Sequence, residues 1–111
     1  AQIIATGGNT IENVTIKDVR IDAVRFPVIA QFLQIRTGND AFGSGFIKNI
    51  SLENVSFAGE CKPKSLISVV IPGGSITDVS MKNVSVHGVA VTGGNIAEYF
   101  NVDPGIGIRF G

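Results

Sequence analysis

The chain has no tryptophan, one cysteine, one histidine and no excess charge among its 111 residues. Each shortage excludes something. With Cys61 alone, no intrachain disulfide can form, and a single thiol says little about redox compartment. With His87 as the only imidazole, a zinc site built from several Cys and His ligands is out of reach. No other metal or cofactor motif appears, so no cofactor is expected. Nine basic and nine acidic residues cancel, which argues against a nucleic-acid partner or an acidic membrane surface, since both require a basic field. No apolar run approaches the length that crosses a bilayer. The N-terminal "AQIIATGG" has no charged n-region and is not an intact signal peptide. No two aspartates are adjacent.

What is present is a globular composition, 44% hydrophobic and 16% charged, in a length that suits one domain or a piece of one. Within it a pattern repeats. Residues 11–21 read "IENVTIKDVRI", residues 47–57 "IKNISLENVSF" and residues 76–86 "ITDVSMKNVSV". Aligned without a gap, they share five apolar columns: Ile11/Ile47/Ile76, Val14/Ile50/Val79, Ile16/Leu52/Met81, Val19/Val55/Val84 and Ile21/Phe57/Val86. A glycine-rich lead-in precedes each copy, and a fourth, "TGGN", precedes Ile96. The separations of about 36, 29 and 20 residues fall in or near the range of repeat architectures.

The apolar spacing is three, two, three, two. A helix places apolar residues at i, i+3, i+4 and i+7, and a plain strand alternates strictly. This rhythm is alternation interrupted by a bend every fifth residue. The bend positions are Asn13, Asn49 and Asp78, then Asp18, Asn54 and Asn83, and Asn and Asp tolerate the left-handed backbone region better than other residues with a side chain. Each copy therefore reads as short β segments joined by sharp corners. A chain that turns this way coils, and equivalent strands of successive coils pair in parallel about 4.8 Å apart. The expected fold is all-β: a single-stranded, right-handed parallel β-helix of about four coils, with the apolar columns as its core and the Asn/Asp columns as ladders of stacked amides. A pentapeptide-repeat solenoid would need the five-residue period sustained over many more repeats. The outward columns agree with the coil register. Lys17, Glu53 and Lys82 stack with alternating charge, Glu12 lies beside Lys48, and Thr15, Ser51 and Ser80 form a hydroxyl column.

From "TGGNTIENVTIKDVRIDAVRFPVIAQF" onward the chain resembles the polygalacturonases, pectin-hydrolysing glycoside hydrolases of the pectin-lyase-like superfamily. Their coils beyond the active site carry a glycine pair, an "I-x-N-V/I-T-F-x-N-I" stretch and an "N-P-I-I-I" segment, whose proline Pro27 matches. The resemblance covers most of residues 6–87. It implies a secreted, extracellular protein, a polysaccharide or oligosaccharide partner, and a scaffold segment of a hydrolase. The alternative is a non-catalytic β-solenoid for carbohydrate binding or assembly. The family's catalytic groups, an "N-T-D", a "D-D" pair, a "G-H-G" and an "R-I-K", are not reproduced. His87-Gly88 echoes the third, and "GIRFG" echoes the fourth with Gly111 in the place of the lysine. In another register Ser65 stands where the family's histidine would be. An inverting glycosidase needs two carboxyl groups roughly 6.5–9.5 Å apart, so the chain alone is expected to be inactive.

The individual candidates follow. His87 is the one acid/base candidate. It shares a column with Asp22, but two coils put them roughly 10 Å apart, and a solvent-facing turn is the simpler expectation. Arg36, Asn39 and Asp40 are the candidate sugar contacts, although "GND" is also ordinary turn chemistry. The sequons at Asn13, Asn49, Asn54 and Asn83 coincide with corner columns. They are expected to be stacked, partly buried amides rather than glycan acceptors. Cys61 lies on a Lys- and Pro-bearing loop, and Tyr99 and Phe100 interrupt the weak fourth copy. A stack of coils has two open faces, so the chain is expected to be a segment of a longer β-helix or to associate with copies of itself.

Overall fold

A computed structural model describes all 111 residues. Nine strands and one helical turn follow one another as β1 (Gln2–Ala5), β2 (Thr10–Ile21), β3 (Gln34–Thr37), β4 (Phe46–Phe57), β5 (Ser65–Val69), β6 (Ser75–Val86), β7 (Val89–Ala90), α1 (Ile96–Tyr99), β8 (Phe100–Val102) and β9 (Ile108–Phe110). They form two parallel stacks. The first, sheet A, runs β1-β3-β5-β8. The second, sheet B, runs β2-β4-β6, with β9 and the antiparallel β7 sharing the outer edge of β6. Each coil is a short sheet A strand, a turn, a 12-residue sheet B strand and a connection back. The result is a parallel β-solenoid of about three turns.

The corners explain how a strand of 12 residues wraps a core. All six expected Asn/Asp positions have positive φ: Asn13 at 60°, Asp18 at 55°, Asn49 at 59°, Asn54 at 51°, Asp78 at 60° and Asn83 at 53°. Each left-handed residue kinks the strand without breaking the ladder on either side, so β2, β4 and β6 each fold around the core in three facets. The register is the one the repeats align: Ile11↔Ile47↔Ile76, Val14↔Ile50↔Val79, Ile16↔Leu52↔Met81, Val19↔Val55↔Val84 and Ile21↔Phe57↔Val86.

Packing follows from that register. Ile47, Ile50, Leu52, Ile67 and Val79 of the central coils are wholly buried, as is Ile35. Sheet A adds its inward residues Ile3, Ile35 and Ile67 from the opposite wall. The connection after β2 contributes Phe32, which stacks on Phe57 with centroids 5.3 Å apart. Residues of the first coil in the same columns are less covered: Ile11, Val14, Ile16 and Ile21 are only half-buried, and Val19 is exposed. The core is therefore open at its N-terminal end.

Two expectations need correction. There are about three coils rather than four. The "TGGN" before Ile96 does not open a fourth copy. Asn95 Oδ1 accepts the Thr92 amide there at 2.7 Å, and the chain turns into α1. The next sheet B rung is β9, with Ile108 beside Val79 and Phe110 beside Met81. The corner amides, expected to be partly buried, are exposed, because the kink at each corner swings its side chain away from the core. The charge column stands in register as expected, Lys17↔Glu53↔Lys82 with Glu12 beside Lys48, and one ion pair forms in it, between Lys17 and Glu53 at 3.9 Å. Exposed long side chains gain little from being held together.

Candidate functional site

The outer face of sheet A and the loop beside it carry the sequence-derived sugar-contact residues. Strand alternation sets which side chains face out. In β3, Ile35 and Thr37 are buried while Gln34 and Arg36 are half-exposed; in β5, Ile67 is buried while Leu66 and Ser68 are half-exposed. Parallel pairing lines these up in two outer rows, Gln2–Gln34–Leu66–Asn101 and Ile4–Arg36–Ser68. Asp103 continues the second row. Its Oδ1 accepts the Ser68 hydroxyl at 2.9 Å, and its Oδ2 accepts the Val69 amide at 2.8 Å. That carboxylate is committed to fastening the last sheet A rung.

Arg36 is the distinctive member. Its Nε is shielded from solvent and has no hydrogen-bond partner. An unpaired buried donor is costly, more so on a charged group. Arg36 is the one cation of the two outer rows, which also hold the apolar Ile4 and Leu66 and end at the Asp103 carboxylate.

Asn39 and Asp40 sit in residues 38–45, the longest of the connections from sheet A to sheet B. Asn39 Oδ1 accepts the amides of Ala41 at 3.0 Å and Phe42 at 2.7 Å. Its backbone exchanges hydrogen bonds with Gly43 at 3.0 and 3.1 Å. The turn chemistry of "GND" is therefore in use. The loop leans on the first coil, where Gly7 and Gly8 donate to the carbonyls of Phe42 and Ser44. That support leaves Asp40 exposed at the tip and Phe42 70% exposed. The fold places Arg36 on the sheet face and Asp40 and Phe42 on its rim.

His87 lies elsewhere, where the chain leaves sheet B. It is exposed, has φ of 48° and is followed by Gly88 at 77°. Its Nε2 is 2.6 Å from the Gly59 carbonyl. A carbonyl only accepts, so Nε2 is the donor in this contact. The ring stands edge-on to Phe32 at 5.9 Å. The fold does not bring His87 together with Arg36, Asn39 and Asp40. A cleft of about 80 Å³ beside it is lined by Cys61, Lys62, Lys64, Glu98 and others. Cys61 donates to the Ala30 carbonyl at 3.2 Å. Burial pushes its thiol above the usual range, and a backbone hydrogen bond from Phe32 offsets part of that.

Sequence reasoning did not single out Gln34, Ser68, Asn101 or Phe42. The first three lie on strands without Asn/Asp corners, and Phe42 is a lone aromatic in a loop whose exposure depends on the supporting turn of the first coil. The comparisons return no match for this chain to a protein family, a curated protein or a solved structure.

Proposed function

We propose that this chain is a stretch of β-solenoid wall from a polygalacturonase-like glycoside hydrolase, and that it meets an acidic polysaccharide through the outer face of sheet A. The observation that carries this reading is Arg36, half-exposed on the outer face of sheet A between Ile4 and Ser68 and two residues along the strand from Gln34. A guanidinium fork matches a carboxylate in two parallel hydrogen bonds, as a uronic-acid unit would offer. The neighbouring amides and hydroxyl suit ring hydroxyls. The exposed Phe42 ring supplies an apolar face for sugar C–H groups. A polymer of this kind is met outside the cell, in keeping with a secreted protein.

The chemistry of bond cleavage is supplied elsewhere in this reading. Of the carboxylates near the face, Asp103 is held by Ser68 and Val69 and Asp40 stands alone on its loop. Hydrolysis requires a second carboxyl group across the scissile bond. The chain therefore binds and positions, and catalytic coils would complete the enzyme. A non-catalytic β-solenoid for carbohydrate binding or assembly is the alternative, and it uses the same face without needing such coils.

Affinity electrophoresis tests the reading. The chain should be retarded in gels containing polygalacturonate and not in gels containing dextran. Arg36→Ala should weaken binding about 10- to 100-fold, the scale of a lost charge-assisted hydrogen bond. Reducing-sugar release should stay at background. Unretarded migration in both polymers, or equal retardation of Arg36→Ala, would refute it.

A further inference from the structure

The third sheet B strand does not end as the other two do. After β2 and β4 the chain crosses to sheet A, but after β6 it reverses. His87 and Gly88 both have positive φ, 48° and 77°, and lie between Val86 and Val89, which face each other in an antiparallel pair. A two-residue loop with both residues left-handed is the type I′ hairpin, whose twist matches the strands it joins. At the same place after β4, Ala58-Gly59 has only its glycine at positive φ, and no reversal follows. Histidine is among the few residues with a side chain that are enriched in the left-handed region. His87 is also tied to the coil below. Its amide donates to the Phe57 carbonyl at 2.8 Å, and its Nε2 reaches the Gly59 carbonyl at 2.6 Å.

The reversal lays β7 along the outer edge of the third facet of β6. Ser85 pairs with Ala90, Val86 pairs with Val89, and Val91 donates its amide to the Val84 carbonyl at 2.8 Å. The Val91 side chain is buried in the core. Val84 and Val86 are thereby only 2% and 6% exposed, although no complete coil lies beyond them. In the same columns of β2, where nothing is laid on the edge, Val19 is 37% exposed and Ile21 half-buried. The middle facet is treated differently. There β9 continues the parallel stack, with Ile108 beside Val79, but its pairing ends opposite Met81.

We propose that residues 87–91 are a stop built into the solenoid: the His87–Gly88 hairpin, anchored by His87, occupies the third facet of β6 so that no further coil pairs there. Natural sheets close their exposed edges by such devices, and solenoids end in atypical sequence. The hairpin closes over two residues, whereas a parallel strand on the same facet would close a loop more than ten times longer, at a greater entropic cost. The stop does not depend on what sheet A binds. Where this chain is one stretch of a longer wall, complete coils in register add at β1 and β2 rather than on β6.

Hydrogen exchange on the full chain tests the proposal in two steps. In the wild type the Val91 amide should exchange at least ~100-fold more slowly than an unstructured amide. Gly88→Val sets a β-branched residue at positive φ, and no neighbour lies near a Cβ there, so the strain falls on the turn alone. Protection of Val91 should fall about 10-fold or more, the ratio set by one such strained residue. Ala58, which donates to the Ile21 carbonyl in the same facet at 2.7 Å, should keep its protection. The second step extends the chain past Gly111 with a copy of residues 54–69, the stretch next in register because Phe110 stands beside Met81 and Met81 beside Leu52. With the hairpin intact, the copied residues 54–57 should exchange as an unfolded segment, and in the Gly88→Val background they should gain protection. Far-UV circular dichroism establishes folding; if Gly88→Val is not folded, Val91→Pro, which removes the bonding amide itself, takes its place. A copy protected equally in both backgrounds, or in neither, overturns the proposal. So does a Val91 amide that exchanges freely in the wild type.

Discussion

Asn83 donates its side-chain amide to the Asn54 carbonyl oxygen at 2.9 Å, one coil away, while both residues hold the left-handed backbone. Asn54 in turn donates to Asp18 at 2.8 Å. The ladder has a direction. Asp18 can only accept, so it stands at the N-terminal end, and each amide above it gives a proton downward. The companion ladder runs the same way from Asn49 to Asn13 at 2.8 Å. Its third member, Asp78, cannot donate to Asn49 and instead takes Arg109 from the next rung.

Two properties of Asn54 can be separated by substitution. Asn54→Gly keeps the left-handed φ and loses both ladder bonds, to Asp18 and from Asn83, and should cost about 1–2 kcal/mol, the scale of two exposed net hydrogen bonds. Asn54→Ala loses the ladder and also places a Cβ-bearing residue without a local polar partner at positive φ, adding roughly 1–2 kcal/mol. Urea denaturation should therefore rank wild type above Asn54→Gly above Asn54→Ala. Equal midpoints for the two variants would show that the corner conformation carries no cost.

One column reports how open the first coil is. Ile50 is wholly buried between Val14 and Val79. Ile50→Ala should cost about 2–5 kcal/mol, as for other buried large-to-small changes. Val14 occupies the same column but is only half-buried. At protein concentrations low enough to keep copies apart, Val14→Ala should cost about 1 kcal/mol or less, since little enclosed cavity is left behind. A loss at Val14 as large as that at Ile50 would mean that the N-terminal face is covered in solution.

Sheet B was legible in the sequence because its three copies repeat both the apolar columns and the corners, and its register follows residue by residue. Sheet A was harder to read. "QIIA", "QIRT", "SLISV" and "FNV" are short, carry no corners and share only one or two inward positions. The fourth rung was misplaced because "TGGN" at residues 92–95 matches the lead-in at residues 6–9, yet "IAEY" follows it with helix-forming residues and no β-branched alternation. The rung instead begins at "IRF", whose two apolar residues say nothing until Val79 and Met81 are seen beside them. Arg36 and Asp40 were legible as chemistry, but the row that frames Arg36, from Ile4 through Ser68 to Asp103, depends on pairing across coils.

Two glycines with nearly the same φ separate strain from collision. Gly88 is at 77° with no neighbour near the position of a Cβ. Gly88→Ala should cost about 1–2 kcal/mol, for backbone strain alone. Gly59 is at 80°, but there a Cβ would collide with the backbone carbonyl of Asp22, one coil below. That carbonyl lies on the main chain and cannot rotate aside, so a further 1–3 kcal/mol or so is expected for the forced shift. Thermal unfolding should place Gly59→Ala below Gly88→Ala. The reverse order would contradict the close approach of the two coils at Gly59.

Cys61 provides the pH test. Its thiol is raised above the ordinary value mainly by burial, so the folded state keeps the proton after the unfolded chain has lost it. Stability from this site is complete below the unfolded thiol's pKa and is lost as pH rises through the folded one. Alkylation by iodoacetamide should show the consequence directly, because only the thiolate reacts. In native buffer the rate should rise at a higher pH than in urea, and Cys61→Ala should remove the corresponding part of the alkaline decline in stability. Coincident native and urea profiles would mean that the thiol is free of the contacts that bury it, Ala30 and the Phe32 backbone among them.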